Sequence, residues 1–133
     1  MIQAINHITY VVSDLERTSL LFQNILNAEE VYSSPTAKYL TINGIWLALN
    51  LGKSQERSYN HIAFTVSEQD LELYMSRLLS YNVEHFVGRD RIVGEGNSIY
   101  FYDYDNHLIE LHAGTLAERL ESYEKISVKN TKN

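Results

Sequence analysis

The sequence contains no cysteine, which removes disulfides, thiolate metal sites and cysteine nucleophiles from the chemistry open to it. Long apolar runs are missing as well. The longest are strand-length, too short to cross a bilayer, and no basic region followed by an apolar signal core opens the chain. The expectation is a cytoplasmic protein with no membrane partner. Nor is there a basic surplus: 11 Lys and Arg stand against 17 Asp and Glu, a formal net charge of −6. That balance argues against non-specific nucleic-acid binding. What remains, 44% hydrophobic and 21% charged over 133 residues, is the composition of one ordinary globular domain. Ten tyrosines against four phenylalanines point to apolar faces that carry hydroxyls, which a core alone does not need.

A repeat organises the chain. Asn6-His7-Ile8-Thr9-Tyr10-Val11-Val12-Ser13 returns as Asn60-His61-Ile62-Ala63-Phe64-Thr65-Val66-Ser67, at a constant offset of 54 residues. Two copies of one supersecondary unit are implied, each with a histidine at the same address. Ile5 to Val12 alternates and reads as a strand. Ser13-Asp14-Leu15-Glu16 then has the form of a capping box, opening a helix to about Asn27. Strands follow over Glu29 to Ser34, Lys38 to Ile42 and Ile45 to Leu51, the last two joined by an Asn43-Gly44 hairpin turn.

Module one thus spans about residues 1–51 and the polar stretch 52–58 reads as a linker. Module two, about 59–114, repeats the pattern. Ser67 caps a helix to Tyr81, and strands run over Val83 to Gly88, Ser98 to Asp103 and Leu108 to His112. Thr115-Leu116-Ala117-Glu118 is a third capping box, opening a helix over 115–124, with a polar tail expected to fray after Lys125. The fold class is α+β: two βαβββ modules in a single domain.

The chemistry is expected at His7, His61 and Glu110. Two imidazoles and one carboxylate suit a divalent ion such as Mn, Fe, Zn or Ni, and three protein ligands leave positions open for water or substrate. A strand histidine taken alone is more often a half-buried structural residue. The repeat, with Glu110 on the last strand, reverses that preference. Glu110 shares its strand face with Leu108 and His112, where a carboxylate is costly unless paired or metal-bound. His112 has no counterpart in module one and reads as a supporting group. His85 and His107 read as solvated. Thr9 lies two residues beyond His7 on the same face, and is as easily a strand filler. Arg119, Arg91, Tyr100 and Tyr59 are candidates for an anion pocket. Gly94-Glu95-Gly96-Asn97 is a glycine loop, but neither a lysine nor a helix follows it to make a phosphate loop.

Paired modules with a His, His, Glu set resemble the vicinal oxygen chelate (glyoxalase) superfamily. Residues 55–64, 94–103 and 105–120 are most similar to the fosfomycin resistance proteins, and closest to their epoxide-hydrating branch. The resemblance implies a Mn(II)-dependent homodimer exchanging modules, with His7 of one subunit joining His61 and Glu110 of the other. It implies a metal, Mn(II) or another divalent ion, that binds the epoxide and phosphonate oxygens of fosfomycin. Arg119, Tyr100, Ser98 and Arg91 would hold the phosphonate, Thr9 and Tyr59 would lie beside the substrate, and Trp46 would form the pocket wall. Thr9, Tyr100 and Arg119 would serve the reaction itself.

One departure stands out. The hydrating branch carries a glutamate base before Gly-Leu-Trp, and the matching position here is Ala37. That region looks more like the thiol-transferring branches, so the nucleophile is expected to be a low-molecular-weight thiol or water. The competing reading is a metal-free drug-binding module, or a glyoxalase- or dioxygenase-like enzyme, of the same fold.

Overall fold

The structure, a computed structural model, describes residues 1–88 and 93–131. Two compact units emerge. One joins residues 1–59 to 102–108, and the other joins 60–101 to 109–133. The repeat is visible in each as a four-stranded sheet.

In the first unit, β1 (His7–Val12) leads into α1 (Leu15–Leu26), followed by β2 (Glu29–Ser33), β3 (Ala37–Ile42) and β4 (Ile45–Leu51). The sheet order is β1-β4-β3-β2, with β1 parallel to β4 and the other pairs antiparallel. Alternation gives this sheet two faces. Val12, Leu40, Ile42, Leu47 and Leu49 are buried together with Leu21, Phe22 and Ile25 of α1. The opposite face is more open and carries His7, Thr9, Trp46 and Tyr39 in register. Asn43 and Gly44 both adopt positive φ (46° and 81°), as the tight turn between antiparallel strands requires.

Two expectations fail here because other residues take the groups concerned. Asp14, not Ser13, caps α1 by accepting from the Arg17 amide at 2.9 Å. Ser13 instead donates its own amide to Asp105 at 3.0 Å. Glu16, free of the capping box, lies 3.2 Å from Lys38 Nζ. That lysine is buried, 2.7 Å from Glu30 and 3.0 Å from Ser33 Oγ. The hydrogen bond between them holds the Glu30 carboxyl below its ordinary value and raises the Lys38 ammonium.

Residues 102–108 belong to module two by sequence but are built into the first unit. Asp105 is fully buried and accepts from the Ser13 amide and from Ser54 Oγ at 2.5 Å. The linker lies along the same turn: Asn106 Nδ2 donates to the Gln55 carbonyl at 2.7 Å, and the Arg57 guanidinium sits 3.9 Å from the Tyr102 ring centre. His107, expected in solvent, is instead 6% exposed. It lies 2.7 Å from Asp103 and stacks on Tyr10 with ring centres 4.1 Å apart. Burial, with Asp103 nearby, pushes the Tyr10 phenol well above its usual range.

The second unit contains β5 (His61–Thr65), a 3₁₀ turn (Glu68–Asp70), α2 (Leu71–Ser80), β6 (His85–Phe86), most of β7 (Asn97–Tyr102) and of β8 (Leu108–Ala113), and α3 (Leu116–Thr131). The sheet order is β5-β8-β7-β6. Ser67 makes no side-chain cap, and the 3₁₀ turn occupies the expected first helical turn. Only His85–Phe86 of the Val83 to Gly88 stretch pairs as a strand. His85 is half-buried rather than solvated, its Nδ1 2.7 Å from the Val83 carbonyl. The Thr115–Glu118 box forms as expected, with the Glu118 amide donating to Thr115 Oγ1 at 3.1 Å. Its helix continues past residue 124 to Thr131 where a frayed tail was expected.

No helix among the described residues is long and apolar enough to cross a membrane.

Candidate active site

The second unit brings His61 and Glu110 together. His61 opens β5 and Glu110 is the third residue of β8, its neighbour in the sheet. His61 Nε2 lies 2.9 Å from Glu110 Oε1. The Glu110 side chain is only 6% exposed and that of His61 22%. Ser98, on the adjacent β7, donates its hydroxyl to Glu110 Oε2 at 2.5 Å and lies 2.6 Å from His112 Nδ1. Arg119, in the first turn of α3, reaches back so that Nη2 is 3.3 Å from His112 Nε2. His61, Glu110, His112 and Arg119 line a cavity of about 300 Å³ together with Ala63, Gly114, Thr115 and Leu116.

The donor set fits a divalent cation. Two ligands at right angles with bonds of about 2.1 Å stand about 3 Å apart, which is the His61–Glu110 separation. A carboxylate this buried needs compensating charge or hydrogen bonds, and an adjacent guanidinium suits an anionic substrate. Among the described residues no set of three or more His, Cys, Asp or Glu side chains is grouped around one point. His7 belongs to the first unit.

Tyr100 is 1% exposed. Its ring is stacked on Phe86 and lies edge-on to His61 at 5.5 Å. A Cβ on Gly88 would come within 2.5 Å of that ring, and Gly88 has φ 84°, so glycine is required there. Arg91 lies outside the described residues.

The remaining candidates belong to the first unit, all but Tyr59 on the open face of its sheet. His7 Nδ1 is 2.7 Å from Asn6 Oδ1, and its ring packs on Trp46 with centres 4.3 Å apart. Trp46 in turn meets the edge of Tyr39 at 5.2 Å, and Tyr39 meets Tyr32 at 4.9 Å. Trp46 Nε1 is buried without a hydrogen-bond partner. Thr9 pairs with Ala48, one row along from His7 and Trp46. Tyr59 is 63% exposed.

Ala37 opens β3 opposite Asn50, on the face shared with Tyr39. Of the two acids in these four strands, Glu30 turns to Lys38 on the helix side. Glu29 pairs with Thr41 and so shares the open face, three strands away from His7. Strands about 4.8 Å apart put some 14 Å between their backbones.

Sequence reasoning missed Asn6 as a partner of His7, and the burial of Glu95 (2% exposed), which accepts from Tyr123 OH at 3.2 Å. Asn6 was legible in principle, since both copies of the repeat carry Asn before His. Glu95 had no signal, because its partner lies 28 residues away on α3.

Comparison with known proteins places the chain in a family. Residues 4–111 match the glyoxalase/bleomycin resistance protein/dioxygenase superfamily. The fosfomycin resistance protein FosX of Listeria innocua is 47% identical over 94% of this chain and 100% of its own length. The metallothiol transferase FosB of Staphylococcus haemolyticus is 43% identical over 94% of each. The crystal structure of a FosX mutant from Listeria monocytogenes, complexed with Mn(II) and 1S,2S-dihydroxypropylphosphonic acid, superposes with a TM-score of 0.88. It is 50% identical over 92% of this chain and 99% of that one. The chain therefore belongs to the glyoxalase superfamily and, within it, to the fosfomycin resistance proteins.

Proposed function

We propose that the protein confers antibiotic resistance by inactivating fosfomycin, opening its epoxide with a nucleophile at a Mn(II) site. The observation that carries this reading is the cavity of the second unit, where a buried carboxylate paired with a histidine adjoins an arginine. Relatives at 43–50% identity bear fosfomycin resistance and metallothiol transferase names, and one holds Mn(II) with a dihydroxypropylphosphonic acid.

His61 and Glu110 supply two metal ligands and His7 the third. In this reading His7 comes from the second subunit of a homodimer that exchanges modules, and each protomer is a single domain. When bound, the metal supplies Lewis acidity at the oxirane oxygen. Arg119 binds the phosphonate, its planar fork matching two oxygens at once, with Arg91 and Tyr100 completing the anion pocket, while Ser98, whose one hydroxyl proton goes to Glu110, serves the carboxylate instead of the anion. Trp46 packs against the substrate's carbon skeleton, and Tyr59 covers it. Thr9, beside His7, orients the epoxide for back-side attack.

The nucleophile is proposed to be a thiol. Ala37 offers no base, and the Glu29 backbone stands about 14 Å along the sheet from that of His7, which leaves Glu56 of the linker as the remaining acid of the two the sequence offered in its place. A thiol with an ordinary pKa of about 8.5 is already a few per cent ionised near neutral pH. Water is the second reading, favoured by the 47% identity to FosX.

Reaction in ¹⁸O-labelled water, with Mn(II) and with or without thiols, decides between them by mass spectrometry. A thiol adduct is expected. Rapid formation of a labelled diol without thiol would overturn the choice of nucleophile, and no consumption of fosfomycin under either condition would overturn the function. The shared site has its own test. His7→Ala and His61→Ala proteins should each be inactive. Subunit exchange between them should restore about a quarter of the wild-type sites, because half the dimers then contain one intact site. Failure of the mixture to recover would refute the module exchange.

A further inference from the structure

Four side chains in the second unit form a line from the arginine to the metal carboxylate: Arg119, His112, Ser98 and Glu110. The hydrogen positions along it are not free. A guanidinium only donates, so Arg119 Nη2, at 3.3 Å from His112 Nε2, requires a lone pair on that nitrogen. The imidazole proton then sits on Nδ1, which faces Ser98 Oγ at 2.6 Å and has Glu110 Oε2 farther off at 3.3 Å. Ser98 accepts this proton and turns its own towards Glu110 Oε2, at 2.5 Å. Every link points the same way, from cation to carboxylate. A line of aligned donors polarises along its length, and ligating carboxylates are commonly held by such hydrogen bonds.

We propose that His112 is a positioning residue, fixed by Arg119 as the Nδ1–H tautomer, which aims the Ser98 hydroxyl at Glu110 and so holds the metal carboxylate in place. This rests on the reading of His61 and Glu110 as metal ligands given above. The result is one oriented assembly in which the residue that binds the anionic substrate also sets the hydrogen bonding of a metal ligand. Glu110 Oε2 accepts from Ser98, and Oε1 is directed to the His61 side.

Two kinds of measurement test this. In metal-free protein, ¹⁵N-labelled histidine spectra should show His112 protonated at Nδ1 and bare at Nε2, and Arg119→Ala should release that preference. An Nε2–H tautomer in the parent protein would overturn the proposal. Mn(II) binding followed by electron paramagnetic resonance gives the second readout. His112→Asn places an amide nitrogen where Nδ1 was, and should keep affinity near that of the parent. His112→Ala should lose about tenfold or more. Ser98→Ala should lose a similar amount, and the Ser98→Ala, His112→Ala double variant should lose little further, since both act through one line. Full Mn(II) affinity in His112→Ala, or additive losses in the double variant, would refute the line. His61→Ala separates the two levels: if it binds Mn(II) normally, the metal reading itself fails, whatever the tautomer of His112.

Discussion

Replacing Asp105 by asparagine tests how the turn at residues 102–108 is held. The carboxylate is fully buried and accepts two hydrogen bonds on Oδ1, from the Ser13 amide and Ser54 Oγ, while Oδ2 is buried without a partner. Burial alone would raise its pKa. The hydrogen bonds from Ser13 and Ser54, helped by His107, outweigh that and hold the carboxyl below its ordinary value. Asparagine keeps an acceptor at Oδ1 but turns charge-assisted bonds into neutral ones, a loss of about 1 kcal/mol each. Its NH₂ would occupy the Oδ2 position and add an orphaned donor. Removing a buried charge offsets part of this, so about 2–3 kcal/mol should be lost at pH 7. Because the folded pKa is depressed, the wild-type advantage is complete above the ordinary aspartate value. It fades as pH falls below that value and through the folded pKa, so the gap between the two proteins should narrow progressively in acid. Urea unfolding followed by circular dichroism, at equal protein concentrations and at pH 7 and pH 3, measures both. Equal stability at pH 7, or an undiminished gap at pH 3, would refute the reasoning.

Arg119→Lys keeps the charge and loses the planar fork, so the fosfomycin KM should rise well beyond any fall in kcat, read by steady-state kinetics. Ala37→Glu puts a carboxylate on the open face, at the position where the resemblance to the hydrating branch implies a base, and thiol-independent hydration should rise by about 10²-fold or more, measured as diol formed in labelled water. In Gly96→Ala, a Cβ would stand 2.1 Å from the Ala113 carbonyl at a residue with φ 82°. The β8–α3 junction must then shift, and thermal unfolding should show a loss of more than about 1 kcal/mol.

The repeat made the fold legible. Both Asn-His-Ile openings became the first strands of four-stranded sheets, because period-two alternation and the Asn43-Gly44 turn are local signals. Local reasoning failed where distant partners took over a group. Ser13 had the form of a cap, yet its amide is taken by Asp105, 92 residues on. His107 looked like a turn histidine in solvent until Asp103 and Tyr10 enclosed it. At the site, the repeat grouped His61 with Glu110, which lie 2.9 Å apart, and with His7, which belongs to the first unit. It gave no hint that Ser98 donates to Glu110, since a serine hydroxyl announces its direction only once its neighbours are placed.

The borrowed turn also constrains the order in which the chain can acquire its structure. The first unit needs residues 102–108 for Asp105 to meet Ser13 and Ser54, and for His107 to lie under Tyr10. A ribosome adding about 5–20 residues per second will expose β1 to β4 several seconds before that turn is made. During this interval the N-terminal sheet has its strands and helix, but not the clasp on its β1–α1 corner. A nascent chain halted shortly after the linker should therefore be protease-sensitive around residues 13 and 54. Protection there should appear only once synthesis has passed residue 108.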